Sequence, residues 1–242
     1  MIKIAGKRDA YVATPHKPRK DVGILYIPDV LGIYQNSQLI ADQLAANGYH
    51  TVIPDLFYGD QLELNIFEGD QIDPSMDPAR PNDFDIVDWI QEGRNNAGPQ
   101  TTETIDPIIL DTVRYMKEEL GVKMLGAVGY CFGANYVVRH LKNGYIDVGY
   151  IAHPSFVQED ELASISGPLS ITAAETDLIF PAESRYKSEV ILRKIGQPYQ
   201  IFLFSGVIHG FAVRGDISRK DQKAAKEHAF QQAINWFNTW LV

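Results

Sequence analysis

The chain holds one cysteine, and glycine stands two residues from it on either side: Gly129-Tyr130-Cys131-Phe132-Gly133. A thiol held this way is a candidate nucleophile. On a sharp strand-to-helix turn, side chains two positions before and after the nucleophile would strike neighbouring backbone, and glycine removes both clashes. The first turn of the following helix also aims free N–H groups and the positive end of its dipole at the sulfur, which favours thiolate. With 19 glycines in 242 residues, chance places glycine at both flanks about 0.6% of the time. A free cysteine more commonly acts as a small buried hydrophobe, so the strand–helix context decides the reading.

A cysteine nucleophile needs a base, and the base needs a carboxylate to orient it. In elbow enzymes the acid and then the histidine follow the nucleophile, each on a loop after a later strand. Glu175-Thr176-Asp177 follows one apolar run and precedes Pro181, and His209 lies in the glycine-flanked loop Ser205 to Phe211 after another. Asp177 is preferred to Glu175 because it reaches further into its loop. His16, His50, His140 and His228 fall away from this edge and read as surface or packed residues. His153 is different: His153-Pro154-Ser155 closes a strand on the same edge as Cys131. It either lines the pocket or braces the loop.

The elements that must position these residues alternate between two periods. Val22 to Ile27, His50 to Ile53, Lys123 to Val128, Val148 to Ala152, Leu169 to Ala174 and Tyr199 to Phe204 read as strands. Asn36 to Asn47, Asp83 to Gln91, Thr102 to Leu120, Phe132 to Lys142, Pro181 to Ile195 and Asp221 to Leu241 read as helices. Pro107 near the start of the third is tolerated there, and Gly48, Gly121 and Gly196 act as stops. This order predicts an α/β fold with a mostly parallel central sheet and helices on both faces. Residues 56 to 82 are rich in Gly, Pro, Asp and Asn and read as a long, site-shaping loop. With no repeat and no linker, residues 1–242 read as one domain.

Composition narrows the function. Apolar residues make up 45% and charged residues 22%, which excludes a disordered or fibrous chain. A net charge of −9, from 22 Lys and Arg against 31 Asp and Glu, argues against nucleic acid and anionic membranes as partners. No run is long and apolar enough for a spanning helix. Met1 to Lys20 carries scattered Lys and Arg with no apolar core, which predicts an unprocessed, intracellular start. A lone cysteine forms neither an internal disulfide nor a thiolate-rich zinc site.

With Cys131, Asp177 and His209 in this order, the chain resembles the dienelactone hydrolase family of α/β-hydrolases over most of its length. The family's Gly-x-Cys-x-Gly elbow matches residues 129 to 133. Its Asp before a Pro-initiated helix matches Asp177 and Pro181, and its His-Gly-Phe matches His209 to Phe211. The wording of Gly129 to Arg139 and of Ala152 to Val157 looks like the eukaryotic, particularly fungal, branch. The resemblance implies an α/β-hydrolase fold without a separate cap domain, and a cytoplasmic esterase or lactonase that needs no cofactor or metal. The partner it implies is a small-molecule lactone or ester, met by a monomer or small homo-oligomer.

It also implies roles. Asp29 stands where bacterial members carry Glu and would touch the resting thiol, with a strand-end cap as the alternative for its shorter side chain. Val30 and Phe132 would supply the oxyanion-hole N–H groups. Arg214 would bind a substrate carboxylate. The family's second arginine has Arg80 and Arg94 as candidates and no secure counterpart. Tyr34, Phe57, Tyr58, Phe84, Trp89 and Phe211 are candidates for an apolar wall. A thiol redox sensor and an acyltransferase to a non-water acceptor are the alternatives on the same fold.

Overall fold

Short apolar runs closed by Gly, Pro and Asp become the strands of an eight-stranded sheet. The computed structural model describes residues 1–64, 86–93 and 98–241. The elements in chain order are β1 (Ile2–Ile4), β2 (Arg8–Ala13), β3 (Val22–Ile27), α1 (Gln35–Ala46), β4 (His50–Pro54), α2 (Ile86–Glu92), α3 (Thr102–Glu118) and β5 (Met124–Tyr130). They continue as α4 (Phe132–Lys142), β6 (Val148–Ala152), α5 (Glu159–Leu162), β7 (Leu169–Thr176), α6 (Ala182–Ile195), β8 (Tyr199–Ile208), α7 (Phe211–Arg214) and α8 (Lys220–Trp240).

The strands lie in the order β1-β2-β4-β3-β5-β6-β7-β8. From β4 through β8 every neighbouring pair is parallel, while β1, β2 and β4 pair antiparallel. The mostly parallel sheet expected from the alternating pattern is therefore present, with an added hairpin at one edge. That hairpin is a correction, because no strand is expected between Met1 and Lys20. Its turn spans Ala5 to Lys7, with Ala5 and Gly6 both at positive φ and the Lys7 N–H donating to the Ile4 carbonyl, a tight three-residue connection.

Helices cover both faces. One buried cluster joins α2, α3, α4 and Leu192 of α6 to one side of the sheet, and a second joins α1, α7 and α8 to the other. Asp106 of α3 accepts from Arg139 Nε at 2.7 Å and lies 3.1 Å from His140 Nε2. Arg139 also pairs with Glu161 of α5, so this half-buried network ties three helices together. His140, expected to be a surface or packed residue, is buried within it. Among the described residues no helix is long and apolar enough to cross a membrane.

This topology decides where a site can form. The connection after β3 leads outward to β4, and the next returns across β3 to β5. The direction in which strands are added to the sheet thus reverses between β3 and β5, so a crevice opens at their carboxyl ends. Asp29 to Leu31 leave β3 there, and Cys131 leaves β5.

Candidate active site

Cys131 is the residue before the first turn of α4, with φ +52° and ψ −114°. This is a strained conformation for a residue with a side chain, worth about 1–3 kcal/mol, and it persists only because its surroundings impose it. The Cys131 N–H donates to the Ala152 carbonyl at 3.2 Å, and the Cys131 carbonyl accepts from Ser155 N–H at 3.1 Å. The flanking glycines are required by close approach. A Cβ at Gly129 would sit 2.6 Å from the Val137 side chain and 2.7 Å from the Gly133 carbonyl oxygen, and one at Gly133 would overlap the Ile27 carbonyl.

His209 reaches the same crevice by a different device. The β7–β8 ladder is irregular near Ala174 and Thr176, so that Ala174 pairs with Phe204 but Thr176 with Ile208. The extra residues in β8 bend its end and redirect the loop that follows. Glu175 supports that bend by accepting from Gly206 N–H at 2.8 Å. It is exposed and does not face the imidazole. Gly210 then adopts φ +88°, and a Cβ there would also overlap the Arg214 guanidinium. The His-Gly pair is thus a geometric requirement.

Asp177 lies just past β7. Its Oδ1 accepts from the N–H groups of Ile179 and Phe180, both at 2.9 Å, and its Oδ2 accepts from His209 Nδ1–H at 2.9 Å. Holding the proton on Nδ1 turns Nε2 toward the elbow. There Nε2 lies 3.5 Å from Ser155 Oγ, which lies 3.4 Å from Cys131 Sγ. Cys131, His209 and Asp177 are each at most 6% exposed, and Ser155 is fully buried. Burial alone would lower the imidazole's proton affinity. The sulfur of Cys131 and the carboxylate of Asp177 outweigh it and hold His209 at about 10. The arrangement can stabilise an imidazolium beside the Cys131 sulfur.

A second imidazole meets the first edge to face. The His153 ring centroid lies 5.0 Å from that of His209, 5.8 Å from that of Phe211 and 6.0 Å from that of Tyr130. Both of its nitrogens lack a hydrogen-bond partner among the described residues, and its φ is +37°. Burial, reinforced by the positive charges of His209 and Arg214, holds it well below the ordinary histidine value. The two rings are therefore driven in opposite directions, which separates a charged partner from a neutral one.

The signs give a test. His209's contribution to stability is fully present below about pH 6.5 and fades as pH rises through about 10. His153 works the other way: below about pH 6.5 the unfolded chain takes a proton that the folded site refuses. His153→Phe keeps the ring contacts and removes that acid penalty. Its urea midpoint should fall less between pH 7.5 and pH 5 than that of the native chain, and an equal fall would assign the acid sensitivity elsewhere.

The remaining expected residues divide. Asp29 makes no hydrogen bond to Cys131. Its Oδ1 accepts from Leu31 N–H at 3.1 Å and its Oδ2 from Arg214 at 2.8 Å, so the short side chain caps the strand end and pairs with the arginine. Its carboxyl is raised above the usual range because burial outweighs the attraction of Arg214. The N–H groups of Val30 and Phe132 donate to no protein acceptor among the described residues. Phe211 is buried against His153. Tyr34 is half-buried, with its hydroxyl unpartnered among the described residues.

Of the expected aromatic wall, Phe57 and Trp89 pack on Phe132 as core, with centroids 5.6 and 6.1 Å away, and Tyr58 is 63% exposed. Arg80, Phe84 and Arg94 lie outside the described residues, as does most of the expected 56–82 loop. Ser155 lies beside the sulfur and is not among the residues that the sequence predicts for the site. Its signal was available in the His153-Pro154-Ser155 segment that closes β6 on the edge of the elbow.

The dienelactone hydrolase family model matches residues 8–241. The hydrolase tropI of Talaromyces stipitatus is 45% identical over 238 residues, covering 97% of this chain and 88% of that protein. Dienlactone hydrolase 1 of Gibberella moniliformis is 33% identical over 248 residues, covering 100% and 87%. In three dimensions, the crystal structure of dienelactone hydrolase from Anabaena variabilis superposes with a TM-score of 0.63 at 10% identity, covering 97% of this chain and 98% of that one. A family match across nearly the whole chain, together with the α/β-hydrolase sheet, gives one conclusion: this chain is a hydrolase of the dienelactone hydrolase family.

Proposed function

We propose that the chain hydrolyses a lactone or an activated small ester through Cys131, His209 and Asp177. Asp177 keeps the His209 proton on Nδ1, and Nε2 takes the proton of the Cys131 thiol. The sulfur lone pair bonds to the substrate carbonyl carbon, and the carbonyl π pair moves to oxygen, where the N–H groups of Val30 and Phe132 receive it. As the tetrahedral species collapses, the ring oxygen or alkoxide leaves with the proton from Nε2. Water, deprotonated by His209, then attacks the thioester and releases the acid and the free thiol. Arg214, Phe211, Tyr34 and His153 form the substrate wall in this reading. The enzyme is a single domain working in the cytoplasm, as a monomer or small homo-oligomer and without a cofactor.

The observation that carries this is the placement of one imidazole. His209 engages the Asp177 carboxylate through Nδ1 at 2.9 Å while Nε2 faces the hydroxyl that adjoins the only sulfur on the elbow. Enol and aryl leaving groups fit best, because a thiolate expels a weakly basic oxygen far more readily than an alkoxide. The test is a panel of enol lactones, aryl esters and alkyl esters assayed with the purified chain. Turnover of the first two with slow alkyl esters is the expected pattern. No hydrolysis of any, with rapid peroxide oxidation of Cys131, would move the chain to the sensor reading.

A further inference from the structure

Ser155 has no assigned role, yet the fold goes to some length to place it. The residues on either side of Pro154-Ser155 are both in the left-handed region, His153 at φ +37° and Phe156 at φ +59°. Neither is glycine, so the segment is held against its own preference. It is held by three backbone bonds: His153 N–H to Thr172 O at 2.7 Å, Cys131 N–H to Ala152 O at 3.2 Å and Ser155 N–H to Cys131 O at 3.1 Å. The result is a fully buried hydroxyl 3.4 Å from Cys131 Sγ and 3.5 Å from His209 Nε2. The sulfur and the imidazole also act on each other directly, by charge and by a side-chain hydrogen bond, and the hydroxyl adjoins both.

We propose that the Ser155 hydroxyl is a fourth working member of the site, donating its hydrogen bond to the Cys131 sulfur while its oxygen accepts from protonated His209 Nε2. The assignment rests on the thiol–imidazole reading above. A hydroxyl can serve both ends of the pair at once, having one hydrogen to give and two lone pairs to receive. It stabilises sulfur when the sulfur is anionic and imidazole when the imidazole is cationic, which is the same charge state. No proton leaves the serine. When the sulfur becomes a thioester its lone pair attracts the hydroxyl less, and Nε2 keeps its proton free for the leaving oxygen.

The charged and titratable groups facing this pair are Asp177 from the β7–α6 loop, His153 from the end of β6, Asp29 after β3, Arg214 on α7 and Tyr34 before α1. Only Ser155 lies within hydrogen-bond reach of both sulfur and Nε2 among the described residues. Its removal should therefore be read at the thiol itself, without any substrate.

The experiment is the pH dependence of iodoacetamide alkylation of the full chain, followed by intact mass. The native chain is compared with Ser155→Ala, Ser155→Thr and Ser155→Val. Loss of a hydrogen bond to a charged group should move the Ala profile to higher pH by about one unit and slow labelling on the low-pH limb about tenfold. Thr and Val have the same shape and differ in the hydroxyl, so Thr should follow the native chain and Val should follow Ala. This pair also decides the matter if the Ala variant unfolds. Overlapping profiles for Thr and Val would overturn the proposal. A Cys131→Ala control separates the two claims: ester turnover surviving in that variant defeats the thiol mechanism, whereas a dead Cys131→Ala with unmoved Ser155 profiles defeats only the serine's role.

Discussion

Replacing Cys131 with alanine should lower kcat/KM for an aryl ester by at least about 10⁴-fold, because removal of a nucleophile leaves only binding and the oxyanion N–H groups to act. The effect should be almost entirely chemical. Residue 131 sits at φ +52° in the native chain, and alanine carries the same Cβ, so the strain should be unchanged while the deletion removes one buried atom. Thermal unfolding should shift by a few degrees at most. The large loss in rate with a small loss in stability distinguishes a nucleophile from a packing residue. A variant that keeps more than about 1% of native activity would assign the attack to another group.

Arg214→Met should destabilise the fold by about 3–5 kcal/mol, because it leaves the Asp29 carboxylate buried with only one N–H partner. Asp29 is 1% exposed, and the Arg214 side chain that pairs with it at 2.8 Å is 10% exposed. The loss should depend on pH. Burial already raises the Asp29 carboxyl above the ordinary value, with Arg214 opposing that rise. Without the arginine it rises further, and protonation then removes the unpaired charge. Denaturant midpoints should therefore differ most at pH 8 and converge toward pH 5. The double variant Asp29→Asn, Arg214→Met should regain most of the stability, since both charges are gone. Equal destabilisation at the two pH values, with no recovery in the double variant, would show that Arg214 stabilises through packing.

Much of this was legible in the residues. Five of the six parallel strands, β3 to β7, followed from apolar runs bounded by Gly and Pro, because a strand buried on both faces tolerates few polar residues, whereas β8 is a half-exposed edge strand. β3 and β6 and helix α4 match the expected limits. β5 and β8 run further, to Tyr130 and Ile208, because the site loops continue the strand pairing before they turn. The β1–β2 hairpin was not legible. Its strands are short and polar on one side, and their pairing with β4 is a long-range event that no local pattern announces.

The gathering of Cys131, Asp177 and His209 along one edge of the sheet was readable because each follows the carboxyl end of a parallel strand, whereas the β8 irregularity that carries His209 back toward the elbow was not. The fate of Asp29 was only half readable. One side chain can cap the strand end and still pair with Arg214, 185 residues away, and sequence offers no measure of that distance. Ser155 was hidden for another reason. A serine after a proline reads as an ordinary turn, and its position between sulfur and imidazole depends on two left-handed residues that non-glycine sequence does not advertise.

The most direct measurement is mass spectrometry of the enzyme quenched in acid during turnover of an activated aryl ester. Under the mechanism set out above, the protein carries one acyl group, located on the peptide containing Cys131 and absent from the Cys131→Ala variant. Steady turnover with an unmodified sulfur, or an acyl group found instead on Ser155, would contradict it.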